Sequence, residues 1–190
     1  MSHVNGWVSD APTPAQLKEF FAQIQSGRIT KESLQDFLRG NKRIKIWKTI
    51  KIGGFQDANA IRRALLDKGV IISTVADDML RNIPLVAEEE EVDLVALPGS
   101  EGVFQLAEDL GLELCPAEVG PRLREQYPDQ PKGEHLVIAM RPVVMTVDPY
   151  SFHIARDGDY KMWLSSNYSI NGDYFGCRSY QFIFRRPRAK

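Results

Sequence analysis

The chain has 190 residues, and 24 Lys and Arg stand against 25 Asp and Glu, for a formal net charge of −1. A chain of this length can bury a proper core in one or two domains, and its near-neutral charge excludes a protein that holds nucleic acid through its overall field. No apolar run approaches a membrane span, and two cysteines, Cys115 and Cys177, make no disulfide framework. The N-terminus lacks the charged and apolar regions of a signal peptide. A cytoplasmic location is therefore expected, with export by a signal-independent route as the alternative.

Residues 1–12 are polar and read as a disordered tail. Thr13-Pro14-Ala15-Gln16 is a capping box with Pro at the first helical position. Leu17, Phe20, Phe21 and Ile24 then fall on one face, and Gly27 ends the helix. Thr30 opens a second helix with Leu34, Phe37 and Leu38 inward and Gly40 as its stop. Residues 13–40 thus form a helical hairpin whose apolar stripe is core or, alternatively, the dock for a partner or a second copy.

Residues 41–93 read as a mixed α/β segment. Lys42–Lys51 alternates basic and apolar residues as a half-buried strand that slips around Trp47-Lys48. Gly53-Gly54 breaks it. Asp57 caps a helix through Lys68, with Ile61, Ala64 and Leu65 inward; Val70–Ile72 is a short strand; Ser73 caps a helix carrying Val75, Ala76, Met79 and Leu80. Glu88–Glu91 reads as a solvated acidic loop.

Residues 94–190 read as the C-terminal part, with Val92–Leu97 as the strand that leads into it. Ser100 caps a helix that buries Val103, Phe104, Ala107 and Leu110, and Pro116 opens one containing Val119, Leu123 and Tyr127. Pro128–Gly133 is a turn-rich linker. Strands follow at Leu136–Met140, Val143–Val147, Ser151–Ala155, Tyr160–Leu164 and Phe182–Arg186, and Asp157-Gly158 is a hairpin turn. The fold class expected is α+β: helical hairpin, mixed middle, β-rich C-terminal part.

Ser165–Tyr180 has neither a helical nor a two-residue period and reads as a long loop between buried strands. It is rich in Tyr, Ser, Gly and Asn, a composition that gives rigid contact area and adaptable hydrogen bonds. Tyr168, Tyr174, Phe175 and Tyr180 are the expected anchors. Ser165, Ser166, Asn167, Ser169, Asn171, Asp173, Arg178 and Ser179 are expected to tune polarity, and Cys177 lies among them. Lys, Glu, Gln, Met and Trp are all absent from the stretch. Those types, and stop codons, are the ones that mutation of the adenines of an AAC codon cannot reach.

With Trp163-Leu164 before it and Phe182-Ile183-Phe184-Arg185 after it, this segment resembles the variable region of target proteins of diversity-generating retroelements. The resemblance implies a C-type-lectin-like ligand-binding domain over residues 94–190 with a variable loop at 165–180, in a bacterial or archaeal binding protein that presents a diversified surface to a protein or other macromolecule. The Gly-Gly-Ser-Trp pattern of formylglycine-generating-enzyme-type variable proteins is missing. Gly111–Pro121 resembles a segment of uncharacterised proteins from small-genome bacteria, and no activity comes with that likeness.

Other chemistry finds less support. His3, His135, His153, Cys115 and Cys177 lack the close spacing of a zinc site, and no metal or cofactor is expected. Cys115 reads as a small buried hydrophobe, with a nucleophile paired to His135 or His153 as the alternative. Gly53-Gly54 before a helix could seat an anion but matches neither a P-loop nor a dinucleotide fingerprint. The Glu-Pro-Asn and Gln-Pro-Asp motifs of calcium-dependent sugar binding do not occur. Two rival readings stand beside the binding protein: a nucleic-acid binder using Trp47 with Arg43, Lys45, Lys48 and Lys51, and an enzyme with an unrecognised site. The sequence assigns no catalytic residue, so no enzyme is expected.

Overall fold

A computed structural model describes residues 12–31, 34, 44–145, 148–159, 161–168 and 180–187. The chain divides into two compact units, Met1–Arg43 and Ile44–Lys190. The class is α+β, as the sequence predicts.

In the first unit, helix α1 spans Pro14–Gln25, and the Thr13 side chain and Gln16 form both halves of the capping box. Gly27 takes φ +74°, the left-handed turn that ends it. The apolar stripe is not buried: α1 has no buried residue, and Phe21 is 58% exposed. The Leu34 amide donates to the Thr30 carbonyl at 2.9 Å, as the first turn of a second helix would. The rest of that predicted helix, with Phe37, Leu38 and Gly40, lies outside the described residues, as does the tail through Ala11.

The second unit is built on one eight-stranded sheet. Its strands are β1 (Lys48–Ile52), β2 (Ile71–Ile72), β3 (Glu90–Pro98), β4 (His135–Ile138), β5 (Val143–Met145), β6 (Asp148–Arg156), β7 (Met162–Tyr168) and β8 (Gln181–Arg185). The order is β1-β3-β8-β4-β6-β7-β2, with β5 on β6; β4 runs parallel to β8 and β2 parallel to β7. The boundary expected between residues 93 and 94 falls inside β3. That strand pairs with β1 on one side and β8 on the other, so the middle and the C-terminal part share one sheet.

Alternation along the strands gives the sheet two faces. The near face places Ile50, Ile52, Leu94, Leu136, Ile138, Phe152, Ile154, Leu164 and Ile183 in the main core. Helices α2 (Ala58–Asp67), α3 (Thr74–Leu80) and α5 (Val119–Gln126) contribute Ile61, Leu65, Ala76, Met79, Leu80, Val119 and Leu123 to it. Asp57 and Ser73 cap α2 and α3 as predicted, each accepting from a backbone amide. The far face carries a smaller cluster, Val95, Val137, Ala139, Phe182 and Phe184, under helix α4 (Val103–Asp109).

Several boundaries differ from expectation. α4 is capped by Gly102 at φ +79° rather than by the Ser100 side chain, because the chain enters it through a left-handed turn that only Gly takes freely. α5 begins after Glu118, not at Pro116. Glu90 and Glu91 are strand residues facing Ile52 and Lys51 across the ladder, and Glu89 pairs with Lys51 at 2.9 Å, so the acidic run is largely structure rather than loop. The basic strand shortens to β1, with Lys42 and Arg43 outside the described residues.

Three polar contacts lock the unit. Glu118, fully buried, accepts from the Gly53 amide at 2.6 Å and the Val86 amide at 2.8 Å. The Gly53 amide is thus taken by a side chain of the protein itself. A Cβ on Gly53 would also lie 2.1 Å from the Glu88 carbonyl oxygen. Arg124, fully buried, donates to Gln130 Oε1 and to the carbonyls of Tyr127 and Ala155, the last at 3.3 Å. Pro128–Gly133 is therefore no linker: buried Gln130 ties it to α5 and β6. Along β1, the Gln126 carboxamide accepts from the Lys51 amide at 3.0 Å and donates to the Lys51 carbonyl at 2.7 Å, as a neighbouring strand would.

Candidate functional site

The β6–β7 hairpin carries the start of the expected recognition stretch. At its turn, Asp157 Oδ1 accepts from the amides of Asp159 and Lys161, both at 3.0 Å, and Oδ2 accepts from Trp163 Nε1 at 2.9 Å. These bonds, the Trp163 bond foremost, hold the Asp157 carboxyl below the usual carboxylate range. The turn fixes the register: Ala155 faces Trp163, His153 faces Ser165, and Ser151 faces Asn167.

Ser165–Tyr168, expected in a loop, are the last four residues of β7. Serines and asparagine supply no apolar period, yet their backbone pairs with β6 in a register already set by the turn. The pleat then splits the expected ligand residues between faces. Ser165 and Asn167 share the far face with His153 and Ser151. Ser166 and Tyr168 share the near face with Phe152 and Tyr150, and the Tyr168 ring meets Tyr150 edge-on at 5.7 Å. Ser169, Asn171, Asp173, Tyr174, Phe175, Cys177, Arg178 and Ser179 lie outside the described residues.

Tyr180 re-enters one residue before β8, in register with His135 and so on the far face. It is half-buried rather than displayed. Its ring lies parallel to His135 at 4.7 Å and to His153 at 5.2 Å between centroids, with interplanar angles of 14° and 11°. His135 Nδ1 is 3.1 Å from His153 Nε2, and the two imidazoles are within 4° of parallel with centroids 5.2 Å apart. That combination sets the imidazoles edge to edge, joined by a single N–H···N hydrogen bond, with the phenol stacked over both. Burial first, and His135 second, push the His153 imidazole down to about 4.

In the sheet, β4 and β6 separate β7 from β8. The histidine pair therefore sits between the two ends of the Ser165–Tyr180 stretch, on the face that receives both. The cluster under α4 draws on β3, β4 and β8 and takes no residue from β6 or β7. Among the described residues of the far face there, Ser165, Asn167 and the imidazoles are polar and keep part of their surface, Ser151 is fully buried, and Ala155 and Trp163 stand beside them.

In the sequence His135 and His153 read only as candidate metal ligands or partners of Cys115. Separated by 18 positions on different strands, they carry no spacing signal. The one trace is a histidine set within each apolar strand run. Cys115 packs in the near-face core, its Sγ donating to the Ile183 carbonyl at 3.3 Å, and burial pushes its thiol up. The sheet separates it from both histidines, so the Cys–His alternative fails on geometry. Among the described residues no group of three or more His, Cys, Asp or Glu is placed to hold a metal ion.

Trp47, centre of the nucleic-acid reading, is half-buried against the main core. Its ring meets Tyr127 edge-on at 5.4 Å, and Lys48 Nζ lies 4.3 Å from the Tyr127 centroid. No helix among the described residues is long and apolar enough to cross a membrane. Comparison of the chain with protein-family models, curated proteins and solved structures finds no match.

Proposed function

We propose that Ile44–Lys190 is a binding unit whose recognition surface is the far face of β6–β7 together with the stretch that ends at Tyr180. One observation carries the reading: Ser165, Asn167 and Tyr180, from the two ends of the expected variable stretch, arrive on one face although two strands lie between them. Scaffold and contact residues are divided by strand alternation. Leu164 and Phe152 belong to the core, and Ser165 and Asn167 stand on the opposite face of the same strands. The ligand class is a protein or other macromolecule, and the reading requires no catalytic residue, metal or cofactor. A nucleic-acid ligand is less well supported, since Trp47 and Lys48 are engaged with Tyr127 inside the unit.

The test is comparison of sibling copies of the gene, with a search beside it for a near-identical template and a reverse transcriptase. Codon differences should concentrate at positions 165, 167 and 169–179, at adenines of Asn-type codons, and should spare Leu164 and Phe182–Arg185. Differences scattered through Leu136–Ile154 would sink the reading.

A further inference from the structure

We propose that His135, His153 and Tyr180 form a proton-operated clasp that fastens the C-terminal end of the recognition stretch to the sheet at neutral pH and releases it in acid. The inference rests on the reading of the far face as the recognition surface, and it assigns Tyr180 to positioning rather than ligand contact.

The geometry supplies the switch. With both imidazoles neutral, one nitrogen of the 3.1 Å contact donates and the other accepts. A first extra proton can settle on an outward nitrogen and leave that bond intact. A second proton sets N–H against N–H and two cations side by side beneath the Tyr180 ring. The pair then parts, and the phenol loses the flat surface on which it stacks. Tyr180 is held besides by its carbonyl, which accepts from the Gly99 amide at 2.7 Å. Acid therefore loosens the entry to β8 without unfolding it.

The described surroundings of His153 add no competing charge. Ser165 and Ala155 flank His153 on β7 and β6, Val137 stands opposite it on β4, and Tyr180 covers it from β8. Of the described charged groups, only His135 bears on its protonation. Asp157, the nearest carboxylate along the hairpin, is engaged by Trp163 and two amides at the turn.

Hydrogen exchange read by mass spectrometry, corrected for intrinsic rates, tests the clasp at neutral pH and at about pH 5. Protection of the peptide spanning Tyr180–Arg185 should fall about tenfold or more in acid, while peptides from α5 hold. In His153→Phe the acid-dependent part should vanish. Equal protection at both pH values, or a loss as large in His153→Phe as in the native chain, overturns the proposal. Should that variant fail to fold, the imidazole nitrogen resonances of the native protein decide. One histidine must stay neutral well below the ordinary histidine range, and two ordinary titrations overturn the clasp. Because exchange needs no ligand, the clasp can fail while the sibling comparison succeeds, and the reverse.

Discussion

The two faces of the β6–β7 hairpin are made by alternate residues of the same strands, and they differ in what fixes them. On the near face, Phe152, Ile154 and Leu164 are fully buried under α5 and its neighbours. On the far face, His153, Ser165 and Asn167 are polar and keep part of their surface. A two-residue period lets one hairpin hold a rigid core and an exchangeable surface, provided that the register never slips. The Asp157 turn, fastened to Trp163, guards that register. The lesson is that a stretch expected to act as a unit is divided by the pleat: Ser165 and Asn167 lie on the far face, while Ser166 faces the core side.

Substitutions that breach the near face should matter most. Phe152→Ala empties a fully buried ring site and should cost about 3–5 kcal/mol, read as a lower denaturation midpoint in urea. Acid comes next. The unfolded His153 binds its proton near 6.5 and the folded one near 4, so stability is whole above the first value and declines as pH falls towards the second. The loss should be on the order of 3 kcal/mol and should shrink in His153→Phe; a flat pH profile would show that the far face carries no strained imidazole. Gly120→Ala pushes a methyl to within 2.6 Å of the Phe152 Cβ, and should cost about 1–3 kcal/mol by levering α5 off the near face. Ser165→Ala, on the far face, should shift stability by less than about 0.5 kcal/mol. A large loss there would erase the distinction between the faces.

Much of the scaffold is legible in the chain. Thr13, Asp57 and Ser73 announce their helices because a side-chain cap is a local event. The Asp157-Gly158 turn and the apolar strands around it are local too. Features set by distant partners escape. Glu118 shows nothing in sequence of its bonds to Gly53 and Val86, 65 and 32 positions away. Ser165–Tyr168 hide a strand because their period lies in backbone pairing rather than in hydrophobicity. The histidine pair emerges only when β4 and β6 are laid side by side, and the resemblance that drew attention to the C-terminal stretch says nothing of it.

Gln126 has a consequence for assembly. By presenting an amide to both hydrogen-bonding groups of Lys51, it occupies the rim of the sheet at β1 with a group that cannot propagate. A second molecule arriving there finds the backbone of Lys51 already satisfied. Edge-to-edge growth into filaments is blocked at that point, because the backbone groups that would extend the ladder are already taken within the molecule.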